Sequence, residues 1–161
     1  GAVAFRRDTF LAVGGFPGHF FISHEGPDLA LRLMDAGYSI WYSPDIVVKH
    51  HQSTLGRPSW RRYYYDTRNV IWLSVRNYPL LRAIRFLFVQ LGAMLVYSAR
   101  DGYLKYYFKA IFNALKGLKQ ELKERKVISN NTQQRLKLLS TGDESFYVKA
   151  KRRFLKSGVG I

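Results

Sequence analysis

Two carboxylates three residues apart, Glu25 and Asp28, stand in the stretch Phe20 to Arg32 (FFISHEGPDLALR), where an apolar helical pattern begins. Negative charge is favoured at a helix N-terminus, so both are expected to be ionised at neutral pH. An ionised carboxylate beside a hydroxyl can take its proton while the oxygen attacks carbon, the work of a general base. Helix starts are also commonly acidic for reasons of capping alone, and by residue type that plainer role is the favoured one. Further along stand Arg57, Arg61, Arg62 and Arg68. A planar guanidinium grips phosphate through paired hydrogen bonds, although a solvated basic helix face has the same composition. His50 closes an apolar stretch, where an imidazole is either solvated, bonded to backbone or a metal ligand, with His51 as its neighbour.

These groups need elements to hold them. Ala2 to Phe5 reads as a short buried strand. Asp8 can cap a helix from Thr9 to Val13 that Gly14 and Gly15 end. Pro27 suits the first helical position, Leu29, Leu33 and Met34 then recur on one face, and Gly37 closes the helix. Tyr38 to Tyr42 and Ile46 to Lys49 read as strands around the turn Ser43-Pro44-Asp45. Pro58 to Arg76 is helical, with its aromatic residues at core spacing. Leu80 to Arg100 is a strongly apolar helix with basic residues near its start. Gly102 to Lys126 is amphipathic, with Tyr103, Tyr106, Tyr107, Ile111, Leu115, Leu118 and Leu122 on the apolar face and lysines outside. Ser129 to Thr132 is a polar break, and a basic tail follows. The domain expectation is 1–78, 79–128 and 129–161.

Composition narrows the classes. At 161 residues with 47% hydrophobic and 16% aromatic content, the chain can build a core and is not of the disordered type. It has no cysteine, which removes structural disulfides, Cys-ligated zinc and thiol catalysis. The net charge of +15 is lopsided: residues 1–79 carry 9 basic and 6 acidic groups, and residues 80–161 carry 17 and 5. A basic half implies an anionic partner such as a membrane surface, a nucleic acid or a phosphorylated substrate. The opening Gly1-Ala2-Val3-Ala4-Phe5 has no Met and no signal-like start, so the chain is expected to be a piece of a longer protein.

The order GAVAFRR, VGGF, FFISHEGPDLALRLMDAGY, a strand ending SPDIVVKHH, and YYYDTRN resembles the C-terminal part of the catalytic domain of family 2 glycosyltransferases, especially those of bacterial cell-surface polysaccharides. The likeness covers about Gly1 to Asn69. It implies an α/β architecture, the C-terminal part of a GT-A nucleotide-diphospho-sugar transferase domain, followed by a basic amphipathic helical tail. It also implies transfer of a sugar from a nucleotide-sugar donor to a glycan or lipid-linked acceptor hydroxyl, with inversion. Glu25 and Asp28 match the outer acids of the family's acidic motif. Gly26 stands where many members carry the acid usually assigned as base, which leaves Glu25 the favoured base and Asp28 an orienting or acceptor-binding group. The resemblance makes His50 the candidate ligand of a divalent ion, Mn or Mg, and Arg68 with Asn69 the candidate substrate contact, joined by His24 and Arg57. The Asp-x-Asp motif that would complete the metal site is absent from this chain and is expected upstream.

The second half supports two further expectations. No uninterrupted apolar run reaches the ~20 residues of a membrane span. Phe86 to Tyr97, the best candidate, is expected either buried or in a membrane interface, which would place the enzyme on the inner face of the cell membrane. A non-catalytic basic module on a membrane surface or nucleic acid is the alternative reading. Nucleic acid is disfavoured because the basic half is also markedly apolar and carries no recognised nucleic-acid motif.

Overall fold

The computed structural model of the chain describes residues 2–49, 51 and 59–140. Its regular structure over these residues is helical: α1 (Arg7–Ala12), a 3₁₀ turn (Gly18–Phe20), α2 (Glu25–Asp35), α3 (Trp60–Asn77), α4 (Leu80–Arg100), α5 (Leu104–Lys123) and α6 (Asn130–Ser140). The contacts divide the chain into two compact units, residues 1–128 and residues 129–161.

α3 is the centre of the first unit. Its second half buries Val70, Ile71, Trp72, Leu73, Ser74, Arg76 and Asn77, and α2, α4 and α5 all pack on it. It stops at Tyr78, which is extended because the following Pro79 disfavours helical backbone. α5 approaches α3 closely through its small residues. Ala110 and Ala114 are fully buried, and a Cβ added at Gly117 would fall 2.6 Å from the Trp72 ring. The indole is pinned there by donating to the Ala114 carbonyl at 3.0 Å. α5 therefore buries its small side chains, and Leu115 and Leu122, expected on the covered face, are more than half exposed. Beyond α5 the chain returns to α3. The amides of Lys126 and Ile128 donate to the carbonyls of Arg76 and Asn77, and Arg125 donates to those of Val75 and Tyr78. These bonds serve carbonyls that a helix C-terminus would otherwise leave unpaired.

α2 starts two residues before Pro27, since a proline in the first turn removes only an N–H that has no intrahelical partner. It buries Leu29, Leu31, Leu33 and Met34. Gly37, at φ +88°, closes it by donating to Met34 while Tyr38 donates to Leu33, a conformation glycine adopts without a Cβ clash. α4 buries only Ala83 and Ser98. Counted as a whole helix, its 21 residues are long and apolar enough to cross a bilayer by length and composition, with a mean hydropathy of 1.6 over an 18-residue stretch. The sequence reading had counted only the uninterrupted run from 86 to 97. In the second unit, Ser129 Oγ accepts from the Thr132 amide at 3.2 Å and caps the start of α6.

Segments 2–5, 38–42 and 46–49, expected as strands, form no ladder, and no strand occurs among the described residues. A strand needs a neighbour for its backbone groups, and these segments find none there. Their apolar side chains stay in solvent: Trp41, Tyr42 and Val47 are more than 80% exposed. The α/β reading therefore depends on partner strands that the described residues do not supply.

Candidate functional site

The segment entering α2 has unusual backbone. Three non-glycine residues within four positions carry positive φ: Phe21 (65°), Ser23 (73°) and His24 (66°). Phe21, with ψ −59°, sits at the centre of a tight γ-turn in which the Ile22 amide donates to the Phe20 carbonyl at 2.8 Å. That turn is the rare, strained member of its class. Residues in such regions cost about 1–3 kcal/mol each and persist only where their surroundings over-determine them.

Arg68 and Asn69 do the over-determining. Asn69 is fully buried, and its amide nitrogen donates to the carbonyls of Phe20 (2.9 Å), Ile22 (2.8 Å) and Ser23 (2.8 Å). Arg68 Nη2 donates to the carbonyls of His19 and Phe20, and its Nε donates to Asn69 Oδ1 at 2.9 Å. The Arg68 guanidinium lies 4.3 Å from the Trp72 ring centre, with Tyr64 and Tyr65 at 5.4 and 5.0 Å. The pair expected to touch substrate thus holds the loop that precedes Glu25.

The two acids have separate surroundings. Asp28 is fully buried. Its Oδ2 accepts from Arg32 at 2.6 and 2.9 Å, and its Oδ1 accepts from Asn77 at 2.7 Å with Arg76 Nε 3.3 Å away. Arg32 also donates to the Val13 and Gly15 carbonyls, so Asp28 ties α2 to the end of α1 and to α3. An acceptor hydroxyl cannot reach a carboxylate enclosed in this way, and Asp28 acts on position. Glu25 is partly exposed, and its Oε2 has no hydrogen-bond partner among the described residues. That atom is itself buried, so the side chain must turn or the loop shift before a hydroxyl can meet it.

Behind Asp28 lies a buried ionic chain that sequence reading did not find. Arg76 contacts Glu121 at 3.1 Å and Glu124 at 2.6 Å, and Glu121 accepts from His19 at 2.8 Å. Burial works against the Arg76 charge, but Glu124, Asp28 and Glu121 together outweigh it and leave its pKa raised. The same Arg76 holds the Glu124 carboxyl below its ordinary value. No signal in the sequence joins residues 19, 28, 76 and 121.

Beside the loop is a cleft of about 450 Å³, walled in part by Ser23, Arg62, Tyr63, Tyr65 and Asp66. Ser23 Oγ donates to Asp66, and Arg62 stands 3.8 Å from the same carboxylate. The Tyr63 hydroxyl donates to Asp101; burial first, then this bond, pushes the phenol up to about 12. His24 is lowered by burial, against the pull of Asp66, Glu25 and a hydrogen bond to the Asp66 backbone. The neutral imidazole is therefore the favoured form at a pH above its ordinary range. Asp66 was passed over in the sequence, although the quoted YYYDTRN contains it two residues before Arg68.

His50 and Arg57 lie outside the described residues, and His51 is exposed. Among the described residues no group of three His, Asp or Glu side chains could hold a metal ion.

A stretch of 61 residues, 38% of this chain, is 38% identical to the O-antigen chain rhamnosyltransferase WbaN of Salmonella anatum. A stretch of the same length is 33% identical to the O-antigen chain rhamnosyltransferase RfbN of Salmonella typhimurium. In each case the aligned residues span only 19% of the relative. No family model and no solved structure matches the chain.

Proposed function

We propose that this chain is the C-terminal part of a family 2, GT-A-type glycosyltransferase of bacterial surface-polysaccharide synthesis, with Glu25 as its general base. The observation that carries the reading is the clamped, strained loop that delivers a partly exposed Glu25, with one buried oxygen left unpartnered, at the start of α2. The likeness to two O-antigen rhamnosyltransferases supports the reaction class and makes a deoxyhexose such as rhamnose the first donor sugar to try. The exposed apolar segments 2–5, 38–42 and 46–49 suit strands whose sheet neighbours come from the rest of such an enzyme.

In this reading the acceptor is a glycan or lipid-linked sugar lying in the cleft beside Ser23, with its hydroxyl against Glu25. As the acceptor oxygen forms its bond to the anomeric carbon, the bond from that carbon to the nucleoside diphosphate breaks. The hydroxyl proton passes to Glu25, and a single displacement inverts the centre. A neutral His24 puts no positive charge beside Glu25, where one would weaken the carboxylate as a base, and Asp28 fixes the first turn of α2. A divalent ion, Mn or Mg, would supply charge neutralisation at the diphosphate, with His50, or His51 beside it, as a candidate ligand.

The test is transfer by the full-length protein with dTDP-, UDP- and GDP-sugars. Glu25→Gln should lower kcat by about 10²–10⁴-fold with an unchanged melting temperature. Wild-type rates in Glu25→Gln, or no turnover of any donor by the wild type, would remove the assignment.

A further inference from the structure

α4 and α5 both carry apolar residues that the described part of the fold leaves exposed. On α4, Leu81, Ile84, Phe88, Gly92, Leu95, Val96 and Ala99 are all exposed, Phe88 at 82%. Their spacing of three and four residues puts them on one side of the helix, where Arg85 is the sole charge. On α5, Leu104, Phe108 and Leu115 are also exposed. The register of α5 relative to α4 follows from the Tyr107 hydroxyl, which donates to the Leu91 carbonyl at 3.2 Å. Helical periodicity sets Leu104, Phe108 and Leu115 on the flank adjoining Tyr107, and Lys105, Lys109, Lys116 and Lys123 further round. The result is an apolar strip bordered by an edge of lysines.

We infer that this face lies in the plane of a bilayer, with the α4 strip at the acyl boundary and the α5 lysines on anionic lipid headgroups. This goes beyond the glycosyl-transfer reading and does not depend on it. Charge selects the occupant. Lysine is depleted at protein–protein interfaces. A basic rim around an apolar helix face is the composition of interfacial membrane binding. The packing selects the orientation. Ala83 and Ser98 are buried and α4 is bonded to α5, so α4 cannot cross the bilayer without leaving its neighbours or drawing lysines inward. Each lysine at a membrane centre costs about 2.5–3.5 kcal/mol, so a helix lying flat keeps both sets of contacts.

The experiment is cosedimentation of the full-length protein with vesicles of pure phosphatidylcholine and with vesicles rich in phosphatidylglycerol, with no donor or acceptor present. Binding should be far tighter to the anionic vesicles. The triple substitution Lys105→Gln, Lys109→Gln, Lys116→Gln should weaken it about a hundredfold, from about 1 kcal/mol per basic residue. Phe88→Asp should weaken binding with no change in melting, because the ring is already in solvent. Equal binding to both vesicle types, or unchanged binding of the lysine variant, would overturn the inference. So would a protein that ignores vesicles but dissociates from itself on Phe88→Asp, since the face would then be covered by protein. Because no turnover is read, failure here and failure of the transferase reading are separate results.

Discussion

Replacing Asn69 by alanine isolates the loop clamp. The substitution removes the amide that serves three loop carbonyls and the acceptor of Arg68 Nε, all in a fully buried position. The two amide hydrogens are shared among three carbonyls, so at about 1 kcal/mol net for each hydrogen roughly 2 kcal/mol of support is lost. The strain stored at Phe21, Ser23 and His24 is of comparable size, about 1–3 kcal/mol at each. Summed over the three residues the strain equals or exceeds what the Asn69 side chain supplies, so loss of that side chain should release the loop locally before the core melts. Hydrogen exchange should show the amides of 20–25 opening far more readily, while those of α3 beyond Val70 change little. Transfer activity should fall about 10²-fold through misplacement of Glu25. Phe21→Gly, at an exposed side chain, should restore part of the protection in the Asn69→Ala background, since glycine adopts positive φ without a Cβ clash. Unchanged exchange over 20–25 in Asn69→Ala, or further loss of protection on adding Phe21→Gly, would refute the strain argument.

Gly117→Ala should destabilise by about 1–3 kcal/mol in chemical denaturation, because the new methyl meets a Trp72 ring pinned by its own hydrogen bond. Gly92→Ala, which meets nothing within 4 Å, should instead be neutral or stabilising by up to about 1 kcal/mol. Asp28→Asn should cost about 3–5 kcal/mol, because it leaves the Arg32 and Arg76 charges facing an uncharged amide; the loss should appear in melting as well as in activity, unlike that of Glu25→Gln. The lowered His24 pKa sets a sign for pH. Below the unfolded value of 6.5 the unfolded chain binds the proton first, so stability should decline on acidification through that window and be flat above it. A denaturation series in wild type and His24→Gln checks this, and the variant should lose the dependence. Glu124 and Asp101, whose pKa values lie below 4.5 and 3.8, act in a separate and more acidic range.

The helices were legible because their signals are local. Leu80 to Arg100 was read with the bounds the structure gives, and the Gly37 stop was plain from residue type. The burial of α5 was misread because the close approach of Trp72 favours alanine and glycine over the larger Leu115 and Leu122, a fact of the α3 surface and not of α5 periodicity. The strand-like segments kept their β-type composition, but pairing is a property of two segments and the described residues offer no second one. Glu25 and Asp28 were singled out from spacing, yet their division of labour came from arginines 4 and 48 positions from Asp28. Arg68 and Asn69 were flagged as important from sequence; that they face inward to the loop carbonyls depends on contacts 46–49 residues away.

The bond between His19 and Glu121 closes a span of 102 residues. During synthesis, the loop that leads to Glu25 emerges early, its Asn69 anchor later, and its last tether only once most of α5 has been made. The nascent site therefore waits for the end of the domain. Until Glu121 arrives, Arg76 and His19 lack a shared acidic partner, and the strained turn has only its inner support. A chain truncated before Glu121 should keep the helical pattern of α2 and α3 and still present an unfinished loop, so completion of the fold and readiness for chemistry coincide.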